Sequence, residues 1–272
     1  MVNVLVTLNS GYITQLCVML RSLCDSNPDL KFSIFVAHSA LTNEDFSRIN
    51  SAVDSERCEI VNVCVADDMF QKLPYSERWP KEACYRIFAA KILPADLDRV
   101  LYLDPDLVVI NNIEKLYSTD FDDNYFIATS HMLEFMNIFD RARLHMTKNS
   151  LYINSGVMLM NLDLLRKEQN AEKVFEYVRR NRKRLWLFDQ DILNGVYCEK
   201  TLYIDPVLYN LDEKYFKLNN IFNLPRKQRL DHEWVINNTI IIHFCGKNKP
   251  WNEDYRGDFR ELFYLPAVDK LR

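Results

Sequence analysis

Glycine is scarce in this sequence, and its scarcity limits how a phosphate group can be bound. Only 5 of the 272 residues are glycine, about a quarter of the share usual in proteins. Neither G-x-G-x-x-G nor G-x-x-x-x-G-K-[ST] occurs. If the protein binds a nucleotide, a glycine-rich phosphate loop does not hold it.

Long apolar runs and paired cysteines are also missing. No run approaches the roughly 20 residues that cross a membrane, and the N-terminal "MVNVLVTLNSGY" lacks the features of a signal peptide. The 7 cysteines include no C-x-x-C pair, and Cys17, Cys64 and Cys245 lie inside apolar runs. This usage predicts reduced thiols in the core of a cytoplasmic protein.

The charge balance shows no surplus of positive charge. Lys and Arg number 34 against 38 Asp and Glu, for a net charge of -4. Nucleic acid is therefore not expected as a partner. The length suits one large core, and neither a linker nor an internal repeat is present, so we expect a single domain over 1–272. Insertions are expected at about 131–150 and 210–235, and no feature indicates the oligomeric state.

Hydrophobic periodicity predicts an α/β fold. The first 65 residues alternate strands with helices, which favours a mixed, mostly parallel sheet with helices on both faces. Thr42 and Asp45 form a capping-box pattern. The predicted strands are 2–7, 32–37, 59–65, 100–103, 125–129, 152–161, 202–204 and 239–244. The predicted helices are 12–26, one opening at Thr42, 81–91, 171–184 and 191–197.

Two aspartates follow a strand that is apolar throughout, in "RVLYLDPDLVVI". Pro105 has no backbone N–H, so the strand should end near Asp104. The carboxyl end of a strand is where ligands bind in open α/β sheets. Two aspartates flanking a proline are also ordinary turn chemistry. The alternative is that Asp104 and Asp106 hold a divalent cation, which cancels the repulsion between their carboxylates.

Cationic and imidazole groups follow a later strand, in "IIIHFCGKNKPW". His243 ends the strand, and Gly246, Lys247 and Lys249 follow it. Taken alone, this is a histidine beside solvated lysines. Together with the aspartates it offers a third metal ligand, a backbone N–H and positive charge, which suit a pyrophosphate.

Two further segments carry polar residues at positions suited to a ligand. In "FDQDILNG", Asp189, Gln190 and Asp191 open a helix; they either complement the helix dipole or contact a sugar. In "YINSGVML", Gly156 interrupts an apolar strand, which indicates a bulge or a close ligand approach. The basic run "RRNRKR" at 179–184 is interpreted as a solvated helix end.

These segments, in this order, resemble glycosyltransferase family 8, and the resemblance covers nearly the whole chain. The matching stretches are "CYRIF", "VLYLDPDLVV", "YINSGVMLMNL", "FDQDILNG" and "HFCGKNKPW". The resemblance implies a single GT-A, Rossmann-like domain, with about 1–110 as the nucleotide-binding half and about 111–272 as the donor-sugar and acceptor half. It also implies a retaining transferase that moves glucose or galactose from a UDP-sugar to a saccharide or glycan acceptor.

The same resemblance implies roles for individual residues. Asp104, Asp106 and His243 would bind Mn²⁺, with Mg²⁺ as a second candidate. Gln190, Asp189 and Asn154 would form the catalytic group. The nucleotide sugar would be bound by Thr7, Leu8, Asn9, Tyr12, Arg86, Leu103, Pro105, Asn154, Ser155, Asp189, Gln190, Gly246 and Lys249. Bacterial relatives carry an acidic residue near Asn9, so the contact to uracil differs here. Any membrane association would be peripheral, at the inner face.

Two alternatives remain open at the level of sequence. "VLYLDPDLVV" also fits the D-x-D-x-[TV] pattern of haloacid-dehalogenase-like phosphatases, with Asp104 as the nucleophile. That class needs a later lysine and a second acidic pair near a Gly-Asp, whereas after Gly257-Asp258 a leucine stands where the second acid should be. The second alternative is a domain that binds a sugar nucleotide without catalysing its turnover. The segments do not identify the acceptor, and they do not indicate whether the donor sugar is glucose or galactose.

Overall fold

The strands that the sequence predicts are present, most of them with bounds shifted by one or two residues. The computed structural model describes residues 1–66, 73, 81–222 and 230–271. Part of the insertion expected at about 210–235 lies outside the described residues. The strands are β1 (Val2–Thr7), β2 (Phe32–His38), β3 (Cys58–Cys64), β4 (Arg99–Leu103), β5 (Leu107–Val109), β6 (Phe126–Thr129), β7 (Asn154–Asn161), β8 (Thr201–Ile204) and β9 (Ile241–His243).

Within the described residues, the main sheet has seven strands in the order β3-β2-β1-β4-β7-β6-β8. β7 runs antiparallel to both of its neighbours, and the other pairs are parallel. The mixed, mostly parallel sheet is therefore confirmed. Every residue of β2 is buried, as expected for a strand with helices against both faces.

Helices connect and cover these strands. They are α1 (Ile13–Asp25), α2 (Asn43–Ser51), α3 (Lys81–Tyr85), α4 (Ala89–Ile92), α5 (Glu114–Tyr117), α6 (Glu134–Leu144), α7 (Leu162–Glu168), α8 (Ala171–Asn181), α9 (Phe188–Tyr197), α10 (Pro206–Tyr209), α11 (Glu213–Phe222), α12 (His232–Asn238) and α13 (Leu265–Asp269). The capping box between Thr42 and Asp45 is confirmed. No helix in the described part of the chain is both long and apolar enough to cross a membrane.

A two-stranded sheet, which the sequence pattern did not predict, carries part of the site. β4 ends at Leu103, and after Pro105 the chain enters β5, which leaves the main sheet and pairs antiparallel with β9. Leu107 lies opposite His243, and the Phe244 N–H donates to the Asp106 carbonyl at 2.9 Å. The β5–β9 pairing therefore places the end of β9 beside the two aspartates.

Several predicted bounds are wrong, and side-chain hydrogen bonds explain two of them. β7 begins at Asn154 rather than at 152, because the Tyr152 N–H donates to the Asn137 side chain instead of to a strand. α9 begins at Phe188 rather than at 191, because the Asp191 carboxylate accepts the N–H of Leu187 and so closes the helix start.

Two other predicted helices end or break early. The helix predicted at 81–91 is divided into α3 and α4 by a 3₁₀ turn at Arg86–Phe88. The helix predicted at 171–184 ends at Asn181, followed by a 3₁₀ turn at Arg182–Arg184. The basic run nevertheless forms an exposed helix end, as predicted.

The expectation that the cysteines lie in the core holds only in part. All seven are free thiols, and Cys17 is buried, but Cys64 is exposed and Cys245 is half-buried. Cys64 lies on β3, which is the edge of the sheet, so one face of that strand contacts solvent. Apolar neighbours in sequence therefore did not ensure burial there.

Candidate active site

Three ligand-type side chains converge at the carboxyl end of β4. Asp104 follows β4, Asp106 precedes β5, and His243 ends β9. His243 Nε2 lies 3.1 Å from an oxygen of Asp106 and 3.8 Å from one of Asp104. Ligand atoms on adjacent corners of an octahedron around a small divalent cation stand roughly 3 Å apart. The cluster therefore fits a divalent cation with two carboxylates and an imidazole.

Gly156, the second residue after the start of β7, leaves the room that this cluster needs. A Cβ atom at this position would lie 2.2 Å from His243 Cε1 and 2.6 Å from Asp104 Oδ2. The Asp104 N–H also donates to the Gly156 carbonyl at 2.8 Å. The glycine predicted to mark a close approach thus permits two of the candidate ligands to lie against the strand.

The charges of the cluster are linked to Lys249. Its ammonium group contacts Asp106 and lies 2.8 Å from the Phe244 carbonyl oxygen. Burial would raise the pKa of Asp106, but His243 and Lys249 outweigh it and hold that pKa well below the usual range. Burial would likewise lower the pKa of His243, yet the facing Asp106 carboxylate raises it. The site therefore holds opposite charges in close contact.

Asn210 orients the imidazole and had no recognisable signal in the sequence. Its Nδ2 donates to Asn154 Oδ1 at 3.1 Å, so its Oδ1 accepts the Nδ1–H of His243 at 2.8 Å. Nε2 of His243 consequently faces the aspartates, as a metal-binding nitrogen would. Asn210 lies at the start of the predicted insertion 210–235, where the sequence pattern was uninformative.

Tyr102 is the other residue that sequence reasoning missed. Its hydroxyl donates to Asp104 Oδ1 at 2.6 Å and accepts from Thr7, whose Oγ1 is 3.1 Å away. The side chain of Thr7 is therefore engaged inside the protein. It supports the position of Asp104 through Tyr102.

A buried arginine joins the aspartates to the residues predicted to contact the sugar. Arg86 Nη2 lies 2.8 Å from Asp104, and its Nε lies 3.3 Å from Asp189. Its Nη1 donates to the Ser155 carbonyl at 3.0 Å. Burial raises the pKa of Asp189, with Arg86 opposing the shift. The structure thus brings three of the predicted site residues together around one guanidinium.

Gln190 is fixed by its side-chain carbonyl. The Ser155 N–H donates to Gln190 Oε1 at 3.0 Å, and this N–H, which can only donate, identifies the oxygen. Asn154 is fixed as well, since its Oδ1 accepts from the Gly156 N–H at 2.9 Å. Ser155 itself is buried. These three predicted residues line the start of β7 and of α9.

The residues predicted to hold the nucleotide divide into an exposed and a buried group. The Tyr12 ring is partly exposed and meets the Trp251 ring edge-on at 6.2 Å, and Lys249 lies over that indole at 5.5 Å. Asn9 and Gly246 are exposed nearby in sequence. The side chains of Leu8, Leu103 and Pro105 are buried.

Asp191 does not have the surroundings of a nucleophile. It is fully buried, and Arg143 donates to both of its oxygens at 2.8 Å. The Tyr152 hydroxyl donates to it at 2.7 Å, and the N–H groups of Trp186 and Leu187 also donate to it. Its oxygens are all engaged in hydrogen bonds within the protein, so none is directed at a ligand.

Comparisons with known proteins agree on the family and the fold. The family described as "Glycosyl transferase family 8" matches residues 3–255. A lipopolysaccharide 1,2-glucosyltransferase from Escherichia coli is 24% identical over 90% of this chain and 72% of its own length. A lipopolysaccharide 1,3-galactosyltransferase from Salmonella typhimurium is 24% identical over 92% of this chain and 73% of its own length.

A solved structure shares the fold. The crystal structure of the galactosyltransferase LgtC in complex with donor and acceptor sugar analogues superposes with a TM-score of 0.82, covering 98% of this chain and 95% of LgtC at 22% identity. The fold is therefore of the GT-A type. The family match removes the phosphatase alternative for Asp104 and Asp106. The chain belongs to glycosyl transferase family 8.

Proposed function

We propose that this chain is a retaining, metal-dependent hexosyltransferase that moves glucose or galactose from a UDP-sugar to a saccharide or glycan hydroxyl. One observation supports this most strongly. Asp104, Asp106 and His243 converge within 4.8 Å of one another, beside the cation of Lys249. Their oxygen and nitrogen donors suit Mn²⁺, with Mg²⁺ as a second candidate.

Several residues of the site are proposed to hold the diphosphate together. Asp104, Asp106 and His243 would hold the divalent cation, which would supply positive charge near the diphosphate. Lys249 supplies a second positive charge, which stabilises the leaving group as the sugar–phosphate bond breaks. In the exposed loop, the N–H of Gly246 is proposed to donate to the same diphosphate.

The sugar is proposed to lie between the starts of β7 and α9. Asp189 and Gln190 open α9, and Asn154 opens β7. Because Asp191 is enclosed by Arg143, Asp189 is the carboxylate of this pair that retains partial exposure, 18% of its side chain. We favour a same-face reaction in which the leaving phosphate accepts the proton of the acceptor, with Gln190 held in place by Ser155.

The uridine is proposed to lie at Tyr12 and Asn9. Tyr12 presents a partly exposed ring for stacking, and Asn9 presents an amide for the uracil edge. Thr7, Leu8, Leu103 and Pro105 are buried, so their contacts to the ligand would come from backbone atoms. We propose a nucleotide-binding half at about 1–110 and a sugar and acceptor half at about 111–272. His243 and Lys249 belong to the second range but contact the first half, because β9 pairs with β5.

The decisive experiment is a panel of UDP-sugars incubated with the protein and Mn²⁺, with and without saccharide acceptors. The relatives include a glucosyltransferase and a galactosyltransferase. UDP-glucose and UDP-galactose are therefore the first donors to test. Donor hydrolysis or transfer with retained anomeric configuration supports the proposal. Binding of UDP without any turnover across the panel would favour the non-catalytic alternative.

We also propose a cytoplasmic location with peripheral binding to an anionic membrane surface. The surface concerned, named here the α6 face, comprises the exposed side chains Phe135, Ile138, Phe139, Trp186 and Leu187. The rings of Phe139 and Trp186 are 5.6 Å apart beside a groove of about 500 Å³.

The positive charges beside the α6 face favour an anionic membrane surface as its partner. The exposed cations of Arg182, Lys183 and Arg184 lie two to four residues before Trp186 in the chain. Aromatic side chains beside a basic cluster suit the interface of an anionic bilayer, where each cation contributes about 1 kcal/mol. The free state of all seven cysteines supports the cytoplasmic side.

A further inference from the structure

A second group of ligand-type side chains lies beyond His243. His131 follows β6, Asp212 precedes α11, and Cys245 follows β9. Nδ1 of His131 lies 3.3 Å from Asp212 Oδ2, and Sγ of Cys245 lies 3.1 Å from the same oxygen. The three ligand atoms all lie within 4.8 Å of one another. The cluster contains a nitrogen, an oxygen and a sulfur ligand on three separate segments.

The spacing of these atoms fits a tetrahedral ion. With bonds of about 2.0–2.3 Å, ligand atoms on a tetrahedral zinc stand roughly 3.3–3.7 Å apart. The two measured separations come within about 0.2 Å of the lower end of this range. The ligand atoms of His131 and Cys245 lie within 4.8 Å of each other, so small shifts of the side chains would bring all three onto one cation.

The hydrogen bonding of His131 leaves a lone pair directed at a carboxylate. Nε2 lies 2.5 Å from the Asn210 carbonyl oxygen, which can only accept, so Nε2 carries the hydrogen. Burial lowers the pKa of His131, against the opposing effect of Asp212. In the neutral ring with its hydrogen on Nε2, Nδ1 has a lone pair that faces Asp212. A lone pair and a carboxylate oxygen repel each other across 3.3 Å. A cation between them turns this repulsion into attraction.

The surroundings of the cluster are those of an oriented metal site. Ligating histidines commonly donate their other N–H to a backbone carbonyl, and ligating carboxylates are themselves hydrogen-bonded. His131 donates to the Asn210 carbonyl, and Asp212 Oδ1 accepts the Tyr215 N–H at 2.6 Å. The side chain of Asn210 orients His243 in the same way. One asparagine therefore supports both groups of ligands.

We propose that His131, Asp212 and Cys245 form a second metal site, which binds a softer divalent cation than Mn²⁺, with Zn²⁺ as the best match. A thiolate and an imidazole select Zn²⁺ over Mn²⁺, which prefers oxygen ligands. Binding converts the Cys245 thiol to a thiolate and releases its proton to solvent. Three protein ligands leave a fourth position open. The proposal does not depend on the identity of the sugar donor.

Cobalt(II) absorption on the full, metal-stripped chain tests the site. A thiolate bound to Co²⁺ gives a near-ultraviolet charge-transfer band, and the cluster of Asp104, Asp106 and His243 has no sulfur to produce one. We expect the band in the unaltered protein and in Asp106→Asn, displaced by one equivalent of Zn²⁺. We expect its loss in Cys245→Ser. The cluster is only a hydrogen-bonded group if the unaltered protein shows no such band.

Further variants separate loss of ligands from loss of folding. Cys198→Ser removes another cysteine, which is partly exposed, and should keep the band. Zn²⁺ should raise the melting temperature of the unaltered protein and of Asp106→Asn. It should not raise that of Asp106→Asn combined with Cys245→Ser or with Asp212→Asn, in which both clusters are impaired and circular dichroism reports on folding. A band that survives Cys245→Ser, or that disappears in Asp106→Asn, would overturn the assignment.

Discussion

The ammonium of Lys249 contacts the carboxylate of Asp106 across 143 positions of sequence. The contact exists because β5 and β9 pair outside the main sheet, which brings the loop after His243 over the loop after β4. If the proposed function is correct, the Lys249 ammonium would lie where a metal-bound diphosphate needs positive charge. The consequences of this arrangement can be measured.

Removing either aspartate should abolish metal binding and turnover. Asp104→Asn and Asp106→Asn each leave one carboxylate and one imidazole, which hold a hard divalent cation too weakly. Calorimetry with Mn²⁺ and an assay of UDP-sugar turnover report the two effects. Asp96→Asn, at an exposed position, is the matched control and should behave as the unaltered protein. Full turnover in EDTA would contradict the metal-dependent mechanism.

Lys249→Ala should lower kcat more than it weakens UDP binding, because its charge matters most as the diphosphate leaves. The expected loss is about 10²–10³-fold, as for removal of one stabilising donor. Steady-state kinetics and UDP titration separate the two quantities. Lys247→Ala in the same loop, where Lys247 is exposed, should leave kcat within about twofold of the unaltered value. A kcat for Lys249→Ala equal to that of Lys247→Ala would show that Lys249 does not stabilise the leaving group.

Gly156→Ala should weaken Mn²⁺ binding without removing a ligand. The added Cβ would meet His243 and Asp104 at 2.2 and 2.6 Å, so at least one of them must move. Overpacking of this kind costs about 1–3 kcal/mol, and displaced ligands lose roughly tenfold or more in metal affinity. Calorimetry with Mn²⁺ measures the loss. Unchanged affinity would show that neither residue is a ligand.

Asp191→Asn should lower the free energy of unfolding. The variant breaks a buried ion pair with Arg143, which costs about 3–5 kcal/mol, and urea unfolding measures that loss. Arg143→Gln should destabilise the protein similarly, because it breaks the same pair. A fully stable Asp191→Asn protein would contradict this assignment.

Gln190→Ala should slow the enzyme without abolishing turnover, since no covalent bond depends on it in a same-face reaction. Intact-mass spectrometry of the unaltered protein with UDP-sugar supplies the second measurement. A hexose adduct on Asp189, with Asp189→Asn inactive and rescued by azide, would establish a double displacement instead.

Phe139→Ser combined with Trp186→Ser should release the protein from anionic vesicles. Each aromatic side chain buried in the bilayer contributes about 1.5–3 kcal/mol. We therefore expect at least tenfold weaker binding to phosphatidylglycerol vesicles in a sedimentation assay. Ile221→Ser with Ile236→Ser removes exposed apolar side chains elsewhere and should bind normally. Arg182→Glu should also weaken binding. Equal binding to neutral vesicles, or a concentration-dependent dimer lost in the double variant, would reject the membrane proposal.

Local patterns determined much of the fold. Apolar runs, Pro105 and the capping box at Thr42 predicted strands, a strand end and a helix start from neighbouring residues alone. The D-x-D pair could be placed at a strand end for the same reason, since backbone hydrogen-bonding capacity is a property of the sequence. Errors occurred where a distant side chain closes an element, as the Asn137 side chain does for Tyr152.

Only the tertiary structure decided which groups meet. The sequence by itself supplied Asp104, Asp106 and His243 as candidate ligands, because their chemistry is local. Asn210 and Tyr102 gave no signal, since an asparagine or a tyrosine acquires a role only from its hydrogen-bond partners. The enclosure of Asp191 by Arg143 was equally hidden, because it depends on how α6 packs beside α9. Residue type fixes what a side chain can do, and packing fixes which partners it has.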